Sequence, residues 1–293
     1  MPPFEGIWVP MVTPFRNGFV DVDAAQQLAV DLMTAGIDGI VVCGTTGEAS
    51  TLDVNEQETL LFAIHEAVGS LCPIVMGVSG SCTRTLAEKV RAFSQHDTAG
   101  FLISPPAYVR PSQQGIVLHF QYLAAATDRP IILYNIPART GINIEPATIA
   151  RLASNPQFVA IKQCGGNIAD LINNTHLKVL CGDDDSLFSV LCLGGHGAIS
   201  AAAHIRPDLY VHLFDLIQTS QLEKARELFN ALLPLIKLLF SESNPSPVKA
   251  ALAMQGRINE ELRLPMTAMS QCGKAMLEPV LEQVMVLPAR TYI

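Results

Sequence analysis

Along the first 200 residues, short runs of consecutive apolar side chains alternate with longer stretches whose apolar positions recur at helical spacing. The runs fall at 7–13, 39–43, 74–78, 101–104, 131–134, 159–162, 179–181 and 197–200, and are rich in Ile and Val. A half-solvated strand would alternate apolar and polar residues. An unbroken apolar run predicts a strand covered on both faces, as in a parallel sheet. Helix starts can be named between the runs. Asp23 with Gln26, and Asp53 with Glu56, have the spacing of a capping box, and Pro146 suits a first helical position. Eight strand–helix units within about 200–220 residues predict an α/β fold, a (β/α)8 TIM barrel. A doubly wound sheet would usually carry a turn such as G-x-G-x-x-G after its first strand. Here that strand ends Thr13-Pro14-Phe15.

After residue 220 the alternation stops. Residues 221–240 read as a helix, Ser243-Asn244-Pro245-Ser246-Pro247 as a break, and 248–255 and 273–285 as further helices. The expected division is a catalytic barrel, 1–220, and a C-terminal helical appendage, 221–293.

Composition narrows the function classes. Of 293 residues, 49% are hydrophobic and 16% charged, against about 25% charged in ordinary globular domains. Such an apolar chain predicts much buried surface, subunit interfaces included. Net charge is −8 and the 19 basic residues are scattered, so no nucleic-acid face is expected. The late apolar stretch, 231–240, is half the length a membrane span needs. The start, Met1-Pro2-Pro3-Phe4, lacks the basic residues and apolar run of a signal peptide. Seven cysteines without a C-x-x-C pair predict reduced thiols in a cytoplasmic protein.

In a barrel, chemistry belongs to the carboxyl ends of the strands. Lys162 ends the sixth run. Burial there would lower its pKa and leave a neutral amine, a nucleophile toward carbonyls; a lysine snorkelling out at the rim is the alternative. Gly44-Thr45-Thr46-Gly47 follows the second run, and backbone N–H groups with two hydroxyls there can bind a carboxylate, or merely form a turn. Tyr134 and Tyr108 bring phenols that can relay protons or sit in the core. Arg139, between a proline and a glycine, suits bidentate capture of a second carboxylate, or a surface ion pair. The seven histidines have no metal-ligand spacing. His196 lies in a glycine-rich stretch near where barrels often bind phosphate, and a structural turn is the expectation. Cys164 is placed to face the same side as Lys162.

Gly44-Thr45-Thr46-Gly47-Glu48, Tyr134-Asn135-Ile136-Pro137 and Ile161-Lys162 resemble the pyruvate-dependent class I aldolase family of dihydrodipicolinate synthase and N-acetylneuraminate lyase, in order and spacing over essentially the whole chain. Arg110-Pro111-Ser112-Gln113, Arg139-Thr140-Gly141, Asn244-Pro245-Ser246-Pro247-Val248-Lys249 and Arg263-Leu264-Pro265-Met266-Thr267 resemble its synthase branch. The resemblance implies condensation of pyruvate with L-aspartate-4-semialdehyde to 4-hydroxy-tetrahydrodipicolinate, the first committed step toward diaminopimelate and lysine. It implies a Schiff base on Lys162, proton transfer by Tyr134, and a hydroxyl relay through Thr45 and a Tyr108 lent by the neighbouring subunit. It also implies Thr46 and the Ile199 backbone holding pyruvate, and Arg139 holding the aldehyde's carboxylate. A homotetramer of tight dimers, with no metal or organic cofactor, belongs to the same implication. Gln163 departs from the family's usual glutamate, and strand alternation turns it away from the barrel interior. Other lyases of this fold, acting on a sugar acid or another aldehyde, share the lysine and tyrosine; Arg139 separates them from the synthase branch. A non-catalytic keto-acid sensor would be expected to lose Lys162, Tyr134 or Thr45. Lysine-sensitive relatives bind that effector where this chain has Val54, Gln57, Ser81, Thr85 and Ala107. None keeps the family's residue, so weak lysine inhibition is expected.

Overall fold

The computed structural model describes residues 4–288, so Met1-Pro2-Pro3 lies outside it. Strands β1 (Gly6–Pro10), β2 (Gly39–Val42), β3 (Ile74–Val78), β4 (Gly100–Ile103), β5 (Ile131–Asn135), β6 (Phe158–Gln163), β7 (Lys178–Cys181) and β8 (Gly197–Ile199) are all parallel and close into a barrel in chain order. All eight apolar runs are strands. The first five are buried along their whole length, which is why their sequences show no polar alternation.

Two apolar clusters nevertheless divide the strands at a period of two. Trp8, Val41, Val75, Leu102, Ile132, Ala160, Leu180 and Ile199 form one, inside the barrel. Their neighbours Ile7, Val9, Ile40, Ile74, Ile131, Leu133, Ile161 and Val179 belong to the other, packed against the helices. Trp8 fills the interior so closely that a Cβ on Gly39 would lie 2.2 Å from its ring. Alternation carries forward to the strand ends. Tyr134 follows Ile132 by two, and Lys162 follows Ala160 by two, so both point inward.

The helices between the strands are α1 (Val22–Thr34), α2 (Val54–Val68), α3 (Thr83–Phe93), α4 (Gln113–Ala124), α5 (Pro146–Ala153), α6 (Ile168–Asn174), α7 (Leu187–Cys192) and α8 (Pro207–Gln218). The capping box of α2 is present in both directions, with Glu56 N donating to Asp53 at 2.8 Å and Asp53 N to Glu56 at 3.1 Å. Pro146 opens α5 as expected. The expected Asp23–Gln26 box is corrected: the N-cap lies two residues earlier, at Asp21, which caps α1 by accepting from Ala24 N. A hairpin of Phe15–Arg16 with Phe19–Val20, turning through Asn17-Gly18 at positive φ, was hidden by strands too short to show a pattern. Its Asn-Gly pair is the signal that could have found it.

Beyond Gln218 come α9 (Leu222–Leu239), α10 (Ser246–Met254) and α11 (Gln271–Met285). Phe229, Leu232, Leu235, Val248, Leu252, Leu277 and Leu281 join the outer apolar cluster of the barrel. Polar contacts from this region reach back to the barrel mouth. Lys249 and Glu48, both buried, pair at 2.5 Å. Arg263 donates its backbone N–H to Glu48 and both guanidinium arms to Glu56. No helix among the described residues is long and apolar enough to cross a membrane.

Candidate active site

After β2 the backbone turns sharply, with Cys43 and Glu48 both in the left-handed region. The turn's internal bonds come from the Gly47 and Glu48 N–H groups, to Gly44 O and Thr45 O at 3.1 Å, and from Ala49 N–H to Gly44 O at 3.5 Å, so the N–H groups of Thr45 and Thr46 are not used within it. Gly47 lies against β1: a Cβ there would meet Met11 O at 2.9 Å, and Thr13 donates to Gly47 O at 2.6 Å. Thr46 is buried, and Thr45 lines the same cavity as the Tyr134 phenol, close enough to lower its pKa slightly.

Tyr134 and Lys162 are register partners on β5 and β6. The Lys162 ammonium lies 4.5 Å from the centre of the phenol ring. Both side chains are buried. The position just after β7 leaves room only for glycine, since a Cβ on Gly182 would meet Cys164 Sγ at 2.4 Å and Lys162 Cε at 3.1 Å.

Burial pushes the Tyr134 phenol above its ordinary pKa, against the opposing pull of Lys162. For Lys162, desolvation pulls the value down, but Tyr134, Cys164 and Asp184 attract the ammonium and hold it above the ordinary lysine range. The expected burial-lowered lysine is therefore corrected: its neighbours outweigh its desolvation. Asp184, the only carboxylate of the three, is itself pushed up by burial while Ser200 Oγ and Ala202 N donate to it. Cys164 faces Lys162, as alternation requires, but burial pushes its thiol up to about 12, so it is inert as a nucleophile.

Above Tyr134 opens a cavity of about 300 Å³, near the lower end for small-ligand sites. Thr45, Ser104, Tyr134, Arg139, Asn244 and Met266 are among its walls. Arg139 is exposed, on the short helical turn Pro137–Thr140 that Gly141 ends in the left-handed region. Its side chain makes no salt bridge among the described residues.

Thr45, Tyr134 and Arg139 thus share one cavity, with Lys162 and Thr46 buried directly against its walls. Ile199, 1% exposed, lies in the inner cluster with Tyr134. Tyr108 stands apart. It is 92% exposed, in the left-handed region, and is not a wall of this cavity. His196 precedes β8 and so lies at the opposite end of the barrel, where its Nδ1 accepts from Val179 N at 3.1 Å. There it holds a structural turn together, with Gly6 N also donating to His196 O. Gln163 is buried on the outward side, accepting from Asn135 and donating to Cys164 O and Gly165 O.

Sequence reasoning missed Asp184 and the site role of Asn244 and Met266. Asp184 stands just after β7, where the strand-end rule would have found it. Asn244 and Met266 lie in the C-terminal region, which carries no such rule.

The sequence profile of the dihydrodipicolinate synthetase family matches residues 3–284. A 4-hydroxy-tetrahydrodipicolinate synthase of Thermodesulfovibrio yellowstonii is 40% identical over 283 residues, covering 95% of this chain and 97% of that one. The crystal structure of dihydrodipicolinate synthase from Thermotoga maritima superposes with a TM-score of 0.94 at 35% identity, covering 97% and 99% of the two chains. That of the chloride-inhibited dihydrodipicolinate synthase from Acinetobacter baumannii, complexed with pyruvate, gives 0.93 at 33% identity, covering 97% and 99%.

Proposed function

The chain belongs to the dihydrodipicolinate synthetase family, and from that premise we propose how its residues condense pyruvate with L-aspartate-4-semialdehyde to 4-hydroxy-tetrahydrodipicolinate. The observation that carries the assignment is the Lys162–Tyr134 contact beneath a cavity whose rim holds Arg139.

Pyruvate's carboxylate is held by the Thr45–Thr46 turn and the backbone at Ile199, its carbonyl carbon over Lys162. The resting amine is protonated, so its first act is to lose a proton through the Tyr134–Thr45 hydroxyl chain. Attack on the carbonyl gives a carbinolamine. Tyr134 protonates its hydroxyl, water leaves, and the iminium forms. Loss of a methyl proton yields the enamine, which adds to the aldehyde carbon while Tyr134 protonates the new alkoxide. The substrate's own amine then attacks the imine, closing the ring and freeing Lys162. Arg139 holds the aldehyde's carboxylate in a charge-assisted pair.

Tyr108 completes the relay in a neighbouring subunit's site, within a homotetramer of tight dimers. Its exposure on a loop with Tyr108 and Arg110 both at positive φ supports this, since such a phenol is available to a partner. A cytoplasmic location is supported by the seven unpaired cysteines. The deciding experiment compares kcat/KM for pyruvate with aspartate semialdehyde against sugar-derived and unsubstituted aldehydes. Preference for a non-acidic aldehyde would reject the assignment.

A further inference from the structure

The turn assigned to pyruvate is gripped from outside the barrel. Asn244, between α9 and α10, donates Nδ2 to Thr46 Oγ1 at 3.0 Å across 198 residues of sequence. Two positions along the same turn, Glu48 receives Lys249 and the Arg263 N–H. Asn244 is a wall of the cavity, and its Oδ1 is buried without a hydrogen-bond partner among the described residues. Among the described residues, Thr46 is therefore the only side chain to which this amide is tied.

A hydroxyl has one proton to donate and two lone pairs with which to accept. Because Thr46 Oγ1 accepts from Asn244, its own proton is not drawn into that contact and is left to be donated. A carboxylate is acceptor-only, so it needs that proton. With the amide reversed, Thr46 would give its proton to Asn244 and turn lone pairs toward the substrate.

We infer that Asn244 is a positioning residue for pyruvate: by donating to Thr46 Oγ1 it fixes that hydroxyl as a donor to the substrate carboxylate. This rests on the reading of Thr46 as a pyruvate ligand, and the test separates the two. Pyruvate binding to the full-length enzyme is titrated without aldehyde, beside the KM for each substrate. Asn244→Asp keeps the side chain's shape but replaces the donor with a carboxylate. It should weaken pyruvate binding about 30-fold or more at pH 8, leave the aldehyde KM little changed, and recover toward pH 5 as the carboxylate takes up a proton. Asn244→Ala should weaken binding about three- to tenfold, with no further loss in a Thr46→Val background. Should Asn244→Asp fail to fold, the Ala pair decides. Wild-type pyruvate binding by Asn244→Asp would overturn the inference, as would an undiminished Ala effect beside Thr46→Val or equal damage to both KM values. Unchanged binding by Thr46→Val alone would overturn the reading of Thr46 itself.

Discussion

Lys162 lies under Tyr134, its ammonium 4.5 Å from the phenol ring, because the two are register partners on adjacent parallel strands with matching inward alternation. The pairing puts a nucleophile and a proton carrier in contact without help from any loop. Borohydride reduction in the presence of pyruvate should fix one pyruvyl group on the peptide carrying Lys162. A label on another lysine would sink the assignment. Tyr134→Phe should fold normally and lose about 10²–10⁴ in kcat, the usual worth of positioned proton transfer.

Arg139 rises from the cavity rim on a turn held by Gly141, its guanidinium free of salt bridges among the described residues. Arg139→Ala should raise the KM for aspartate semialdehyde about tenfold to a hundredfold, the loss of one charge-assisted pair, with little effect on pyruvate. Equal effects on both would mean a structural role.

Strands were easy to read because burial on both faces favours unbroken apolar runs, as in Ile131-Ile132-Leu133 of Ile131–Asn135. Lys162 and Tyr134 were legible for the same reason: a polar residue ending such a run is conspicuous. The raised pKa of Lys162 was not, because it depends on Tyr134, Cys164 and Asp184 together, the last approaching from a different strand end 22 positions away. Nor was Asn244 legible as part of the site, since its contact with Thr46 spans 198 residues and no local pattern encodes it.

The Lys249–Glu48 pair is buried on both sides, with Lys249 also 4.3 Å over the Phe15 ring. Removing one partner leaves the other charge desolvated and alone. Lys249→Met should therefore cost about 3–5 kcal/mol in urea unfolding, and adding Glu48→Gln should regain part of it. A loss below about 1 kcal/mol would show that water reaches Glu48.

Weak inhibition by lysine remains the expectation from the family resemblance. Gln57 is buried and donates to Ala49 O and Leu52 O, while Ser81 donates to Ala107 O. The Gln57 amide N–H groups and the Ser81 hydroxyl are already engaged, and none of Val54, Gln57, Ser81, Thr85 and Ala107 carries a charge to meet an α-ammonium. Initial rates across millimolar L-lysine test this; half-inhibition well below 1 mM (about −4 kcal/mol of binding) would refute it.

His204 makes the fold acid-sensitive in a definite direction. It is fully buried, with Nδ1–H donating to Ala201 O and Nε2 accepting from Val12 N–H. Protonation would turn Nε2 into a donor facing another donor. Burial, with a smaller contribution from Arg257, lowers its pKa from 6.5 to about 4. The unfolded chain thus takes up this proton first, so the stability is present above about pH 7 and is lost as pH falls from 6.5 toward 4. At pH 5 the loss from this residue should be about 2 kcal/mol. Urea titrations at pH 7 and pH 5 measure it, with His204→Gln as the control that cannot titrate. If the variant loses as much stability between the two pH values as the parent, the charge change is taking place elsewhere.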